Sequence, residues 1–257
     1  MLVRRSLAHF LIGGTVLRLD KYLSEAGVCT RSEATKRIRK SEVTVNGAAQ
    51  RDPSVHIDPE TAIVTLGGEA VSWRKFTYIM LNKPQGYVSA TEDRGPTVME
   101  LLPPQYARKG FFPCGRLDID TVGFLLITND GVLGHELLSP KHHVDKTYRF
   151  TCDPPIGEDE KRRREEGVDI GDIVTRPAAV TLEGDLPSSK GTITIREGKF
   201  HQIKRMLHAV GSAITSLERI SFGGVPLDGT LARGEWRFLT AEEEATLQRS
   251  AGRSEKN

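Results

Sequence analysis

The stretch Pro-Cys-Gly-Arg-Leu-Asp-Ile-Asp-Thr-Val-Gly, residues 113–123, runs directly into four large apolar residues, Phe-Leu-Leu-Ile, at 124–127. Four such residues are too few for a typical helix and fit a strand that is buried on both faces. The polar stretch sets Arg116, Asp118 and Asp120 at alternate positions just before that strand. A carboxylate on an irregular segment entering a buried strand is held rigidly and can still face a cleft. We therefore expect the chemistry here, although a surface loop with local ion pairs fits the same residues.

Composition and charge describe a globular chain. Its 257 residues are 38% hydrophobic, which suffices for a sizeable core and for one large domain plus a small one. The formal charge is only +2. A nucleic-acid site would therefore depend on local clusters of Lys and Arg rather than on overall charge.

The cysteines and histidines argue against a metal centre. Cys29, Cys114 and Cys152 lie far apart and form no Cys-x-x-Cys pair, so neither a zinc site nor a disulfide framework is indicated. The adjacent His142 and His143 would point to opposite faces of a strand and could not easily share one metal. We expect no metal, no cofactor and a reduced cytoplasmic compartment.

The N-terminal residues 1–16 resemble a weak signal peptide, because Arg4 and Arg5 precede a short apolar run. A small-x-small cleavage site is missing and His9 interrupts the run, so a disordered extension or an upstream start codon explains these residues better than export. No segment approaches the length of a transmembrane helix, and we expect no membrane association.

Two basic helices are predicted after this extension. Apolar residues recur at helical spacing from Leu19 to Ala26, and Thr30 with Glu33 forms a capping box that begins a second helix, which ends near Lys40. A solvated helix face would explain the charge equally well. The basic residues of the two helices, with the one just before them, are Arg18, Lys21, Arg31, Lys36, Arg37, Arg39 and Lys40.

A small sheet is predicted to follow, with strands at 43–45, 54–57 and 62–66 and a turn at Asn46-Gly47. This order of elements, with Arg18-Leu19-Asp20-Lys21-Tyr22-Leu23 and Val43-Thr44-Val45-Asn46-Gly47, resembles the S4 RNA-binding domain over roughly residues 17–71. The resemblance implies that the basic residues bind structured RNA through its phosphates without reading sequence.

A second and larger domain is predicted beyond the glycine-rich boundary near residue 70. We assign residues 1–16 to the extension, 17–72 to the first domain, 76–246 to the second and 247–257 to a tail. The elements predicted in the second domain are strands at 76–81, 124–127, 146–150 and 192–195, helices after 131, at 158–166 and at 201–210, short strands within 214–238, and a helix capped by Thr240 and Glu243.

Four segments of the second domain match one family. The segment Gly115-Arg116-Leu117-Asp118, followed by Thr121 and Gly123, resembles the signature of the pseudouridine synthases that modify ribosomal RNA. Lys146-Thr147-Tyr148 and the segment from Glu197 to Met206 match the same family in the same order, as does a Lys-Pro-x-Gly turn at 83–86. The implied fold class is α+β: a small S4-like α/β module, then a synthase domain with a mixed, mainly antiparallel sheet flanked by helices.

This resemblance assigns roles to individual residues. It implies that Asp118, and not Asp120, is the catalytic carboxylate, that Tyr148 lies in the active site, and that Lys204 is the basic partner of Asp118. We also expect Arg116 to contact RNA. A dry pocket raises the pKa of a lone carboxylate and a nearby cation lowers it, which explains the need for the partner.

Helix geometry separates Lys204 from its neighbour Arg205. At 100° per residue, the apolar face of the predicted helix carries Ile203, Met206 and Leu207, so that Lys204 lies at its edge and Arg205 on the far side.

The resemblance implies uridine isomerisation by a monomer acting on ribosomal RNA, within a partly assembled ribosomal subunit. The stretch Ser139-Pro140-Lys141-His142-His143 favours the small-subunit branch, hence 16S rRNA and a target of the pseudouridine-516 type. Three alternatives remain: the same reaction on 23S rRNA, a non-catalytic S4 factor in ribosome assembly, and a hydrolase built on Asp118 and Asp120. The hydrolase leaves the basic helices unexplained.

Overall fold

The computed structural model describes residues 16–107, 110–142 and 144–253. The chain divides into two compact units, Met1–Lys75 and Phe76–Asn257. Across the described ranges, no helix is both long and apolar enough to cross a membrane. Residues 1–15 of the predicted extension lie outside the described residues. His143, which belongs to the Ser139–His143 stretch, lies outside them as well.

The first unit packs two short helices against a small antiparallel sheet of order β3-β2-β5-β6, beside a separate β1-β4 pair. The predicted capping box is confirmed, because Thr30 Oγ1 accepts a 3.2 Å hydrogen bond from the Glu33 amide and Glu33 Oε2 accepts one of 2.8 Å from the Thr30 amide. The short strands β3 and β6 are absent from our prediction. The elements are β1 (Leu17–Arg18), α1 (Leu19–Glu25), α2 (Arg31–Arg39), β2 (Val43–Val45), β3 (Ala48–Gln50), β4 (His56–Ile57), β5 (Val64–Leu66) and β6 (Glu69–Val71).

The second unit is built on one large sheet of order β11-β12-β10-β13-β9-β7-β15, in which β8 also pairs with β9 and β14 with β13. The pairing of β9 with β13 is parallel and the other pairings are antiparallel, which confirms the predicted mixed sheet. The elements are β7 (Tyr78–Lys83), β8 (Phe112–Cys114), β9 (Val122–Thr128), α3 (Gly131–Leu138), β10 (Lys146–Ile156), α4 (Glu158–Glu166), β11 (Ala179–Leu182), β12 (Ser188–Ile195), α5 (Gln202–His208), β13 (Ala213–Phe222), β14 (Val225–Pro226), β15 (Trp236–Phe238) and α6 (Ala241–Ser250).

Strand β9 lies between the two hydrophobic clusters of this unit. Leu125 and Ile127 belong to one cluster, whereas Phe124 and Leu126 belong to the other, and all four are fully buried. The prediction of a strand buried on both faces is therefore confirmed. Because β9 is anchored on both sides, the loop that precedes it, which carries Asp118, is attached to a rigid element.

The structure corrects two predictions for the C-terminal third of the chain. The segment predicted to hold short strands does contain the short strands β14 and β15, but it begins with one long strand, β13, which pairs with β10 over most of its length. The tail predicted from residue 247 starts too early. Helix α6 continues to Ser250, and Leu247 is fully buried in the second cluster, so these residues belong to the folded unit.

Candidate active site

A cleft of about 760 Å³ in the second unit contains the residues that the sequence singles out there. Asp118, Tyr148, Lys204 and Arg116 all line it. They come from three separate parts of the chain: the loop before β9, strand β10 and helix α5. Within the described ranges, no three His, Cys, Asp or Glu side chains gather in an arrangement suited to a metal ion.

The loop before β9 is held in place by the buried side chain of Lys83. Its ammonium group donates hydrogen bonds to the carbonyl oxygens of Asp118 at 3.1 Å, Ile119 at 3.3 Å and Thr121 at 2.9 Å. Burial lowers the pKa of Lys83 to about 8, although the charges of Asp120 and Asp118 oppose that shift. Lys83 therefore positions the main chain that carries the catalytic candidate. Lys83 begins the family-like turn at 83–86, but its role was not predicted.

A second anchor of this loop comes from the segment after β7. Ser89 Oγ donates to the carbonyl oxygen of Leu117 at 3.0 Å and accepts from the Leu117 amide at 3.1 Å. The amide of Gly86 donates to the carbonyl oxygen of Ile119 at 2.8 Å. Both ends of the Asp118 segment are thus fixed by hydrogen bonds.

The side chains of Asp118 and Lys204 form an ion pair. The Lys204 ammonium nitrogen lies 3.0 Å from Asp118 Oδ2, and it also donates a 2.6 Å hydrogen bond to Asp120 Oδ1. Both partners are shielded, with side-chain exposures of 24% for Lys204 and 27% for Asp118. Burial opposes ionisation of Lys204, but its hydrogen bonds to Asp120 and Asp118 outweigh burial and raise its pKa. Burial also opposes ionisation of Asp120, but the hydrogen bond from Lys204, together with the charges of Lys204 and His201, outweighs burial and lowers the pKa of Asp120.

Tyr148 lies on β10 in a nearly buried position, where it pairs with Ile193 on one side and Arg219 on the other. The Asp118 loop reaches this strand because β9 pairs in parallel with β13 at Gly123 and Arg219. A Cβ at Gly123 would lie 2.4 Å from the carbonyl oxygen of Arg219, and its φ of +100° favours glycine as well. The second glycine of the signature is thus needed for close approach of two main chains.

His201 and Phe200 form an aromatic pair beside Asp118. Their ring centroids are 3.8 Å apart with planes inclined by 20°, and Phe200 is 73% exposed. His201 Nε2 lies 3.6 Å from Asp118 Oδ1, and the residue has a left-handed φ of +50° just before α5. Both residues line the cleft. The sequence offered only their place within a family motif, so their position next to the carboxylate was not predicted.

The predicted outward position of Arg205 is wrong. Its guanidinium donates a 2.6 Å hydrogen bond to the carbonyl oxygen of Ile170 and pairs with Asp172. The hydrogen bond from Arg205 lowers the pKa of Asp172. Arg205 therefore fixes α5 to the turn at residues 170–172, which a helical wheel drawn for one helix cannot show.

The basic residues of the first unit fall into two groups. Arg18 and Arg31 both pair with the buried carboxylate of Asp20, Lys21 pairs with Glu25, and Arg37 pairs with Glu42. Within the described part of the chain, the remaining three predicted residues form no ion pair, and all are exposed. These are Lys36, Arg39 and Lys40.

Asp20 explains the first of these groups. Burial opposes its ionisation, but the hydrogen bonds from Arg18 and Arg31 outweigh burial and lower its pKa. Arg18 and Arg31 thus neutralise a buried charge of the first unit, in addition to any contact they make with a ligand. Arg116 in the second unit is exposed at the edge of the cleft.

Known protein families match both units of this chain. The family model for RNA pseudouridylate synthase matches residues 77–209, and the S4 domain model matches residues 17–63. The RNA pseudouridine synthase YtzG of Bacillus subtilis (strain 168) is 46% identical over 88% of this chain and 96% of its own length. The ribosomal small subunit pseudouridine synthase A of Escherichia coli (strain K12) is 38% identical over 90% of this chain and all of its own length.

A solved crystal structure of a pseudouridylate synthase superimposes with a TM-score of 0.62 at 39% identity, covering 90% of this chain and 99% of the other. Similarity of this extent covers both the S4 region and the unit that holds the Asp118 cleft. The chain therefore belongs to the RNA pseudouridylate synthase family, and it is a pseudouridine synthase with an N-terminal S4 domain.

Proposed function

We propose that this enzyme isomerises a uridine of 16S rRNA to pseudouridine, with Asp118 as the catalytic carboxylate. The observation that carries this proposal is the ion pair between Asp118 and Lys204, in a cleft that Tyr148 also lines. A carboxylate paired with a partly buried ammonium group can attack an electrophilic carbon or take the proton of an acidic C–H bond.

The reaction breaks the bond between N1 of uracil and C1′ of ribose, turns the base over, and joins C5 to C1′. It is an isomerisation without net oxidation or reduction. The Asp118 carboxylate either attacks C1′ or removes a proton from the sugar, and both routes need it ionised. Lys204 keeps it so. Tyr148 lies against the base and assists removal of the C5 proton.

A uridine within folded RNA must leave its stack to reach Asp118, and base extrusion costs a few kcal/mol. Phosphate contacts made by the S4 domain offset part of this cost. We assign these contacts to Lys36, Arg39 and Lys40, because they are the predicted basic residues without an ion pair in the described part of the chain. Arg116 contributes further contacts at the edge of the cleft.

The small-subunit assignment is supported by several relatives named ribosomal small subunit pseudouridine synthase A, which are 38–40% identical and match over nearly their full lengths. The segment Ser139-Pro140-Lys141-His142-His143 favours the same branch. We further propose that the enzyme acts as a cytoplasmic monomer on rRNA in a partly assembled subunit.

Primer extension on rRNA labelled with carbodiimide tests the substrate, using cells with and without this gene. We expect one reverse-transcription stop in 16S rRNA that disappears on deletion and returns with the wild-type gene, but not with Asp118→Asn. A lost stop in 23S rRNA would replace the proposed substrate, and no lost stop in either RNA would contradict the proposal. Repeating the assay on gradient-purified assembly intermediates identifies the particle that is modified.

A further inference from the structure

Two buried cations line the same cleft as Asp118 and have no role in the chemistry described above. Lys146 on β10 is 7% exposed and Arg219 on β13 is 2% exposed. Both belong to the wall of the 760 Å³ cleft that also includes Asp118 and Tyr148. Arg219 is the direct cross-strand neighbour of Tyr148, and Lys146 lies two residues before Tyr148 on the same strand.

Neither cation forms an ion pair within the part of the chain that the structure describes. The Lys146 ammonium group donates a 2.8 Å hydrogen bond to the carbonyl oxygen of Val144. Arg219 donates a 2.6 Å hydrogen bond from Nε to the carbonyl oxygen of Phe124, whereas its Nη2 is buried without a hydrogen-bond partner. Buried guanidinium donors are usually satisfied, so an unused donor on a residue that lines a cleft indicates a missing acceptor.

The two cations share an aromatic neighbour. The Lys146 nitrogen lies 5.6 Å, and the Arg219 guanidinium carbon 4.9 Å, from the centroid of the Phe222 ring. Burial, together with the charge of Arg219, lowers the pKa of Lys146 to about 8. Contact with one aromatic ring only partly offsets the desolvation of two like charges. An anion entering the cleft would compensate both charges at once.

We infer that Lys146 and Arg219 form an anion subsite that binds a backbone phosphate next to the uridine positioned at Asp118. RNA supplies this anion, since each nucleotide carries a phosphate on both sides of its sugar. Arginine and lysine together suit a phosphate, because the guanidinium fork and the ammonium group donate charge-assisted hydrogen bonds to its oxygens. The cleft is large enough for a nucleotide rather than a base alone.

This inference rests on the proposed role of Asp118, and it adds a second function to the cleft. The phosphate would fix the sugar relative to the carboxylate, because Tyr148 adjoins Arg219 in the sheet and lines the same cleft as Asp118. A phosphate bound at this subsite contributes more binding free energy than one bound at an exposed lysine, because the charges of Lys146 and Arg219 are already desolvated.

The test is a double-mutant cycle between protein and RNA. Short RNA substrates are synthesised around the uridine mapped in cells, whichever rRNA carries it, with a single uncharged methylphosphonate on its 5′ or 3′ side. Values of kcat/KM are measured for the wild-type enzyme, for Lys146→Met and for Arg219→Met. Lys190→Met, which removes an exposed lysine outside the cleft, is the matched control.

For the wild type and the control, we expect one of the two methylphosphonates to reduce kcat/KM roughly 10- to 100-fold. Lys146→Met or Arg219→Met should show a similar loss on normal RNA, and little further loss on that methylphosphonate. If the loss caused by the protein variant and the loss caused by the methylphosphonate multiply at both the 5′ and the 3′ position, the side chain and the phosphate act independently. That result would contradict the subsite.

The wild-type enzyme provides a test that does not depend on the folding of any variant. If neither methylphosphonate lowers its kcat/KM, the inference is wrong. The proposed role of Asp118 is judged separately, from the activity of Asp118→Asn on normal RNA. A wild-type enzyme sensitive to one phosphate, together with an active Asp118→Asn, would reject the catalytic assignment and keep the subsite.

Discussion

The ammonium group of Lys204 bridges two carboxylates, lying 3.0 Å from Oδ2 of Asp118 and 2.6 Å from Oδ1 of Asp120. The two carboxylates differ in their surroundings. Asp118 has a side chain that is 27% exposed and a carbonyl oxygen bound by Lys83, whereas the side chain of Asp120 is 51% exposed. The more shielded carboxylate is the better candidate for catalysis.

Exchanging each carboxylate for its amide should separate their roles. We expect Asp118→Asn to abolish pseudouridine formation while RNA affinity stays near normal, because the charge disappears and the side-chain volume remains. Asp120→Asn should retain activity within roughly tenfold, since Lys204 then pairs with Asp118 alone. Tritium release from 5-³H-uridine RNA and filter binding provide the two measurements. An inactive Asp120→Asn beside an active Asp118→Asn would reverse the assignment.

Lys83 should matter for turnover more than for RNA binding. Lys83→Met would leave the carbonyl oxygens of Asp118, Ile119 and Thr121 without their shared donor. We expect a lower Tm and a fall in kcat of at least about tenfold, because the catalytic loop becomes less well positioned. The Kd for rRNA should change little. A normal kcat would show that Gly86 and Ser89 position this loop without help, and Lys190→Met provides the comparison.

Much of the fold follows from local sequence signals. The strand after Gly123 is predictable because four consecutive apolar residues require burial on both faces. Helix α2 is predictable because Thr30 and Glu33 satisfy its first amides from within the segment. The candidate carboxylate and its partner required a resemblance to known motifs, because Asp118 and Lys204 lie on elements far apart in the chain.

Other features depend on contacts that no local pattern encodes. Arg205 is held by Asp172 and the carbonyl oxygen of Ile170, which lie on a distant turn. The cations at Lys83, Lys146 and Arg219 are buried against the usual preference of charged side chains for solvent, so composition and periodicity would place them outside. Such exceptions are expected at functional sites, where the chemistry requires charged side chains in positions that local sequence preferences would give to apolar residues.

The exposed basic residues of α2 should account for part of the salt dependence of RNA binding. Changing Lys36, Arg39 and Lys40 to Gln together should weaken rRNA binding and reduce the slope of log K against log salt by up to about 2, since each lost phosphate contact releases fewer counterions. Activity at saturating RNA should fall less than affinity.

The matched control for α2 removes three charges from α4, by changing Lys161, Arg162 and Arg163 to Gln. Its slope should stay at the wild-type value. Equal slopes for both triple variants would mean that α2 is only a solvated face.

Arg31→Gln should instead lower the Tm, because it removes a partner of the buried Asp20 carboxylate.

Lys146 should reduce stability at neutral pH. Burial and the neighbouring Arg219 lower its pKa to about 8, below the ordinary value of 10.5, while Asp145 and Cys114 oppose this shift. Between those pH values the unfolded chain binds more protons than the folded one, so stability contributed by this residue rises with pH across that window. Lys146→Met should therefore have the higher Tm below pH 8, with an advantage that shrinks toward pH 10.5.

Lys83 titrates over the same range but is present in both proteins, so it cancels in the difference between their Tm values. Thermal unfolding followed by circular dichroism from pH 6 to pH 10.5 gives this comparison. A Tm difference that is constant with pH would show that Lys146 is already paired with an anion. A destabilised Lys146→Met at pH 7 would contradict the expected cost of the buried charge.

The neighbours Lys204 and Arg205 should give different defects when each is changed to Met. Lys204→Met removes the only ammonium group within 4 Å of the Asp118 carboxylate in the described part of the chain. The kcat of this variant should therefore fall at least about tenfold, because the carboxylate loses its counter-charge. Arg205→Met breaks the contacts with Asp172 and Ile170, so its Tm should fall while its kcat changes little. Values of kcat at saturating RNA, measured below the Tm of each variant, distinguish the two. If Arg205→Met lowers kcat and Lys204→Met leaves it normal, Lys204 is not the functional partner of the catalytic carboxylate.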